Sequence, residues 1–173
     1  MSSGLTKSHP RHQSRIGLAA AVMLFAGGLS MPHQAAAAAG PFANLNGRWS
    51  GGGTIAMATG AKERIRCKAT YAADGTGNNL TQSLKCASDS YKFEVQSSLT
   101  VAGSVLTGSW TETTQNVNGA LSGKVDGGKI NGSVSGIGFS AKIDVNTRGD
   151  TQSVSIAPDG TDVKLVAIQL RRQ

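Results

Sequence analysis

Apolar and polar residues alternate with a period of two along most of the chain after Phe42. The clearest runs are 64–71 and 91–101, where almost every second residue is apolar or cysteine and the residues between are polar or charged. Because successive side chains of a β-strand point to opposite faces of a sheet, this alternation predicts strands with one buried face. Further runs of this kind cover 48–58, 80–87, 105–113, 119–125, 129–135, 138–145, 151–157 and 162–171.

Short segments rich in glycine, asparagine and aspartate separate the runs, for example Asp-Gly-Thr-Gly-Asn-Asn at 74–79 and Asp-Gly-Gly at 126–128. Such residues favour tight turns, so consecutive strands should pair as antiparallel hairpins. We predict an all-β fold, an antiparallel up-and-down meander of about eight to ten strands. A meander with one apolar face can close into a barrel or fold into a sandwich. The regular hairpin spacing and the lack of a long connection favour the barrel.

The two cysteines can be placed against each other from the numbering. Paired residues of an antiparallel hairpin have a constant sum of residue numbers, and for Cys67 and Cys86 this sum centres the turn between Thr76 and Gly77. That centre lies within the turn segment 74–79. We therefore predict a disulfide between neighbouring strands, which stabilises the fold by about 3 kcal/mol. A redox-active or metal-binding pair is the alternative, but neither a Cys-x-x-Cys spacing nor a third soft ligand is present.

The first part of the chain has the features of a secretory leader. Three basic and no acidic residues precede an apolar run at 16–31, and alanines at 35–39 suit a cleavage site. The apolar run is shorter than the roughly 20 residues that span a bilayer, so we expect no transmembrane segment in the mature protein. We predict a leader at 1–39, a single domain at 40–173, and a periplasmic or secreted location.

Removal of the leader also removes His9, His12 and His33, which are all the histidines of the chain. The mature domain then lacks the residue on which Ser/His/Asp triads and imidazole zinc sites depend, and we expect no enzyme activity, metal or cofactor. Among the carboxylates, Glu112 shares a strand face with Trp110, where burial could raise its pKa, although its place at a strand end favours contact with solvent.

Three predicted strands carry a central glycine between apolar neighbours, at Gly108, Gly123 and Gly132. The turn at 127–128 sets Gly123 opposite Gly132, and we further expect Gly108 to meet Gly123, which would leave a row of inward positions without side chains. Such glycines can let strands coil sharply, or let Trp49 or Trp110 lie on bare backbone. They can also form, with the two tryptophans, a groove for a ligand.

A Gly-x-Trp sequence opens the first predicted strand at Gly47 and Trp49, and Arg171 and Arg172 end the last one. In this arrangement the chain resembles the calycin group of small β-barrels, which includes lipocalins, avidins and small periplasmic metalloprotease inhibitors of bacteria. The resemblance implies that a terminal arginine covers the tryptophan through cation–π and hydrogen-bond contacts and plugs one end of the barrel. It implies a fold rather than a ligand. The chain as a whole also resembles small exported proteins of bacteria.

Two functional hypotheses follow from these observations. The first is a non-catalytic barrel that holds a small apolar or amphipathic ligand. The second is an interaction, structural or inhibitor protein that contacts an envelope protein or polymer through its exposed strands and a basic face. That face is formed by Arg64, Arg66, Lys68 and Lys85, which could also simply be solvated. Nucleic acid is not expected, because no aromatic residues interleave with the basic ones.

Overall fold

The structure, a computed structural model, describes residues 39–173. The predicted leader, apart from Ala39, and its three histidines lie outside these residues. Ten strands follow one another along the described chain and account for most of it. They are β1 (Gly47–Met57), β2 (Lys62–Ala73), β3 (Asn79–Ala87), β4 (Lys92–Ala102), β5 (Val105–Glu112), β6 (Val117–Asp126), β7 (Lys129–Gly136), β8 (Phe139–Arg148), β9 (Thr151–Asp159) and β10 (Val163–Arg172).

The strands form one closed antiparallel barrel in which each strand pairs with its neighbours in the sequence, and β1 closes the ring by pairing with β10. The predicted all-β meander and its closure are thus confirmed. Closure pairs both edges that an open meander would expose. No helix long and apolar enough to span a membrane is found between Ala39 and Gln173.

The hairpin between β2 and β3 has the register predicted from the cysteines. Cys67 pairs with Cys86 and the two are joined by a disulfide, while Tyr71 pairs with Gln82. The β6–β7 hairpin also agrees with prediction, since Gly123 pairs with Gly132. In both hairpins the turn residues and the apolar alternation specify the same register. The strand pairing could therefore be predicted from residue numbers.

The expected pairing of Gly108 with Gly123 is wrong. Gly108 pairs with Leu121, and Gly123 instead pairs with Leu106. The β5–β6 connection has no glycine turn at its centre, and Asn116 adopts the left-handed conformation there with φ of 55°. This turn sets a register two residues away from the one expected, so the three glycines form a staggered group rather than a straight row.

Buried residues fall into two clusters inside the barrel. The larger contains Trp49 and the disulfide, and the smaller contains Trp110, Val134 and Ala141. The side chains that pack against both clusters are themselves only half-buried; they are Val95, Leu121 and Ile156. The side chains that connect the two clusters are therefore more exposed than the cluster members themselves.

Candidate ligand-binding interior

The two ends of the barrel differ in how they are covered. Turns alternate between the ends of a meander, so both termini of the barrel lie at the same end as the 74–78, 103–104, 127–128 and 149–150 turns. The segment 40–46 crosses this end, where the Gly40 and Phe42 amides donate hydrogen bonds to the turn at Thr76 and Gly77. Phe42 is completely buried. We call this the plugged end, and the opposite one, where no described segment crosses, the open end.

Trp49 and Arg172 fasten the plug. The Trp49 indole Nε1 donates to the Leu45 carbonyl at 2.9 Å, and the Arg172 guanidinium carbon lies 4.6 Å from the centroid of the Trp49 ring. Arg172 also donates to the carbonyls of Asn44 and Asn46 and pairs with Asp150 at 2.9 Å. Trp49 is thus part of the plug rather than of a groove.

A cleft of about 870 Å³ remains beside the plug, between the 39–45 segment and the turns at 127–128 and 149–150. Its charged side chains, Arg172 and Asp150, are already paired with each other. Both charged groups of the cleft are therefore already engaged and are not available to bind a ligand.

A buried hydrogen-bond chain lies below the plug. The Tyr71 hydroxyl donates to Gln152 Oε1 at 2.6 Å, and Gln152 Nε2 donates to Thr147 Oγ1 at 3.0 Å. Gln152 is only 2% exposed and meets the edge of the larger cluster. Burial raises the pKa of Tyr71 to about 12, although the hydrogen bond to Gln152 acts in the opposite direction. The phenol is therefore neutral at physiological pH and holds Gln152 in place.

The middle of the barrel and its open end are lined by apolar side chains that point inward and yet remain partly exposed. The strand alternation fixes their inward direction, because they share parity with fully buried residues of the same strands. The half-buried inward residues are Met57, Phe93, Val95, Val117, Leu121, Phe139, Ile143 and Ile156. Apolar surface that faces the interior without being covered is the feature expected of a ligand cavity.

Two polar side chains also point inward. Gln82 pairs with Ser97, and Ser97 pairs with Trp110, so the three lie side by side across β3, β4 and β5. Gln82 and Ser97 are half-buried, and neither side chain forms a hydrogen bond with another residue of the described chain. Sequence analysis did not single them out as site residues, although each interrupts the apolar alternation of its strand.

The glycine group has a backbone role. A Cβ atom at Gly108 would lie 2.4 Å from the Ser98 carbonyl oxygen, and one at Gly123 or Gly132 would lie 2.5 or 2.6 Å from a carbonyl oxygen of the adjacent strand. These glycines therefore permit a close approach of neighbouring strands that a side chain would obstruct. The glycine that Trp110 approaches is Gly136, where a Cβ atom would lie 3.1 Å from the indole ring.

Glu112 is a structural carboxylate. Burial raises its pKa, but hydrogen bonds from the Thr114 hydroxyl and from the amides of Glu94, Gln115 and Thr114 outweigh burial and lower the pKa to about 2. The Thr114 hydroxyl donates at 2.6 Å and the Gln115 amide at 2.7 Å. The alternative considered for Glu112, a pKa raised by burial, is not found, because donors of the β5–β6 turn and of β4 surround the carboxylate.

The predicted basic face is partly neutralised. In the register set by the Cys67–Cys86 pair, Lys85 lies opposite Lys68, but the Lys85 Nζ atom pairs with Glu94 at 2.8 Å. Arg64, Arg66 and Lys68 are exposed, and none of them forms an ion pair within residues 39–173. This same part of the chain contains no group of three or more His, Cys, Asp or Glu side chains arranged to hold a metal ion.

No family model matches the sequence, and no curated protein sequence matches it. Among solved structures, the barrel is similar to the crystal structure of Rv2717c from M. tuberculosis, with a TM-score of 0.61. The match covers 76% of this chain and 94% of that chain, at 16% sequence identity. At this identity the likeness shows a common fold alone.

Proposed function

We propose that the protein is a non-catalytic binding barrel that holds a small amphipathic ligand in its interior, with access through the open end. The observation that carries the proposal is the half-exposed apolar lining of the interior between the two tryptophan clusters. An apolar ligand part that covered Leu121, Ile143 and Ile156 would gain about 25 cal/mol for each Å² of apolar surface removed from water.

The polar end of the ligand would bond to Gln82 and Ser97. Both side chains point inward beside Trp110, and neither has a hydrogen-bond partner among the described residues. An amide and a hydroxyl can donate to and accept from a neutral head group such as an alcohol, amide or protonated acid. The ligand class is therefore an apolar chain or ring with a single small polar end.

Within this proposal the protein acts after export, in the periplasm or outside the cell. The Cys67–Cys86 disulfide supports an oxidising compartment. The position of Arg172 over Trp49 supports a calycin-like arrangement, in which one end of the barrel is closed and the other is available to a ligand.

A substitution that fills the interior tests the proposal. Ile143→Trp places an indole among the half-buried inward side chains, whereas Lys142→Trp adds the same ring at the next position on the outer face. Titration with a fluorescent long-chain alcohol should show saturable binding to the wild type and to Lys142→Trp. Ile143→Trp should bind at least about tenfold more weakly, since overpacking closes the space that the ligand needs.

Thermal unfolding of both variants checks that each remains folded. Intact-mass spectrometry of the natively purified protein would in addition reveal a retained ligand. Equal affinity of Ile143→Trp and Lys142→Trp for the alcohol, or no saturable binding to the wild type, would refute the interior site.

A further inference from the structure

We propose that the outer surface of strands β7 to β10, β1 and β2 binds a linear acidic polysaccharide. Two features share this surface: a row of cations on β2 that form no ion pair within residues 39–173, and, across β1, a groove lined by polar side chains of β7 to β10. The proposal is independent of the interior ligand, because it concerns the opposite face of the same strands.

The cationic row consists of the four outward side chains at the start of β2, which are Lys62, Arg64, Arg66 and Lys68. All four are exposed, and no ion pair within the described chain involves them. Alternate residues of a strand lie about 6.8 Å apart, so the row extends over roughly 20 Å. The outward positions of β1, β2 and β3 include no acidic residue. The row therefore presents a line of positive charge to a partner.

The surface next to the row carries only small side chains. The residues that pair with Lys68, Arg66 and Arg64 on the neighbouring strand β1 are Ser50, Gly52 and Thr54. None of these has a bulky side chain, so a chain-like partner can lie against the sheet and still reach the guanidinium groups. On the far side of β1, Gly52 pairs with Gln169 of β10.

Gln169 also lines the polar groove, which has a volume of about 310 Å³. The other polar side chains of the groove come from β7, β8 and β9, and they are Lys129, Asn131, Asp144, Asn146, Ser153 and Ser155. Ser153 pairs with Gln169, so the groove, the small residues of β1 and the cationic row form one continuous surface. Asp144 accepts a hydrogen bond from Asn131 at the far end of this surface, four strands from the row.

This combination suits a polymer that has both hydroxyl and acidic groups. Amide, hydroxyl and carboxylate side chains of the groove can exchange hydrogen bonds with sugar hydroxyls, while the arginines bind carboxylate or sulfate groups in a bidentate manner. Single-stranded nucleic acid is disfavoured, because no outward residue of β1, β2 or β3 is aromatic and could stack on a base. A flat bilayer would touch the curved barrel wall only along a narrow line.

The test compares polygalacturonate, polyphosphate and neutral dextran as probes at low ionic strength. Wild type should bind polygalacturonate with an affinity that falls as salt rises, and should not bind dextran. The double variant Arg64→Gln/Arg66→Gln should bind it at least about tenfold more weakly, because it loses both bidentate guanidinium groups. The matched control Lys92→Gln/Lys124→Gln removes the same charge from β4 and β6, outside the surface, and should change affinity by less than about threefold.

A second variant tests the groove. Ser155→Phe should weaken polygalacturonate binding while leaving the affinity for polyphosphate unchanged, because only the sugar uses the groove. Equal losses in the two double variants would show that net charge alone acts. Equal effects of Ser155→Phe on both polymers would remove the groove from the site. Tighter binding to phosphatidylglycerol vesicles than to polygalacturonate would reassign the surface to a membrane. Any one of these three results overturns the proposal.

Discussion

Removal of the Tyr71 hydroxyl should lower the free energy of unfolding of the barrel. It should also reduce the further loss of unfolding free energy that alkaline pH causes. In Tyr71→Phe the Oε1 atom of Gln152 loses its hydrogen-bond donor. Gln152 is only 2% exposed, so this acceptor is left unpaired in a buried position. A buried acceptor without a partner costs about 1–3 kcal/mol. Because Gln152→Leu removes the amide instead, the double variant Tyr71→Phe/Gln152→Leu should recover part of the stability that each single variant loses.

The alkaline effect follows from the pKa of Tyr71, which burial raises from 10.0 to about 12. A group with a raised pKa in the folded state contributes its full stability below the unfolded pKa and loses that contribution as pH rises through the folded pKa. Between pH 10 and 12 the free energy of unfolding of the wild type should therefore fall by about 1.4 kcal/mol for each pH unit from this group, about 3 kcal/mol in all.

Urea unfolding from pH 8 to 12 measures both effects, with Tyr91→Phe as a control for the loss of an exposed hydroxyl. Wild type and Tyr91→Phe should lose stability in parallel above pH 10, whereas Tyr71→Phe should start lower and decline less steeply. The ultraviolet absorbance of tyrosinate should confirm that one phenol ionises only as the protein unfolds. An equally steep loss of stability in Tyr71→Phe and in the wild type above pH 10 would show that the Tyr71 phenol is not the group responsible.

Three further predictions concern the frame of the barrel. Cys67→Ser/Cys86→Ser should lose about 3 kcal/mol of unfolding free energy, measured by denaturant unfolding, because the open chain regains loop entropy; an unchanged midpoint would contradict this. In the wild type, the lowered pKa of the folded Glu112 carboxylate adds stability above pH 4.5, and this contribution is lost as pH falls towards about 2. Glu112→Gln should lack this contribution. Acid unfolding curves that coincide for the two proteins would contradict the prediction. Gly53→Ala should lower the melting temperature strongly, because its Cβ atom would lie 1.8 Å from a β10 carbonyl oxygen, whereas Gly75→Ala meets nothing within 4 Å and should not.

Much of the strand order and register could be predicted because the information is local. The sum of residue numbers for Cys67 and Cys86 located their hairpin, since turn residues and apolar alternation favour the same register. The same reasoning was wrong at Gly108, because the turn between β5 and β6 takes its shape from Asn116 and from the hydrogen bonds around Glu112. This hydrogen-bond network joins β4, β5 and the turn that follows β5, and it produces no periodic pattern in the sequence.

The candidate site was predictable only in part. Trp49 and Trp110 were recognised as important, but the sequence does not show that one lies in the plug and the other near the open end. Gln82 and Ser97 were not selected, because a polar residue on an apolar strand face is also compatible with a strand end or a bulge. Their partnership with Trp110 requires the registers of three strands at once.

By itself, the sequence determined the all-β meander, the disulfide hairpin and the positions of the turns, because alternation and turn chemistry act over a few neighbouring residues. Tertiary structure alone decided which end is plugged, how Arg172 reaches Trp49, and that the apolar side chains connecting the two buried clusters stay half-buried. It also decided that the β2 cations lie beside a polar groove formed by strands far away in the sequence. These features depend on closure of the sheet, which brings β10 against β1 and is set by the packing of the whole chain.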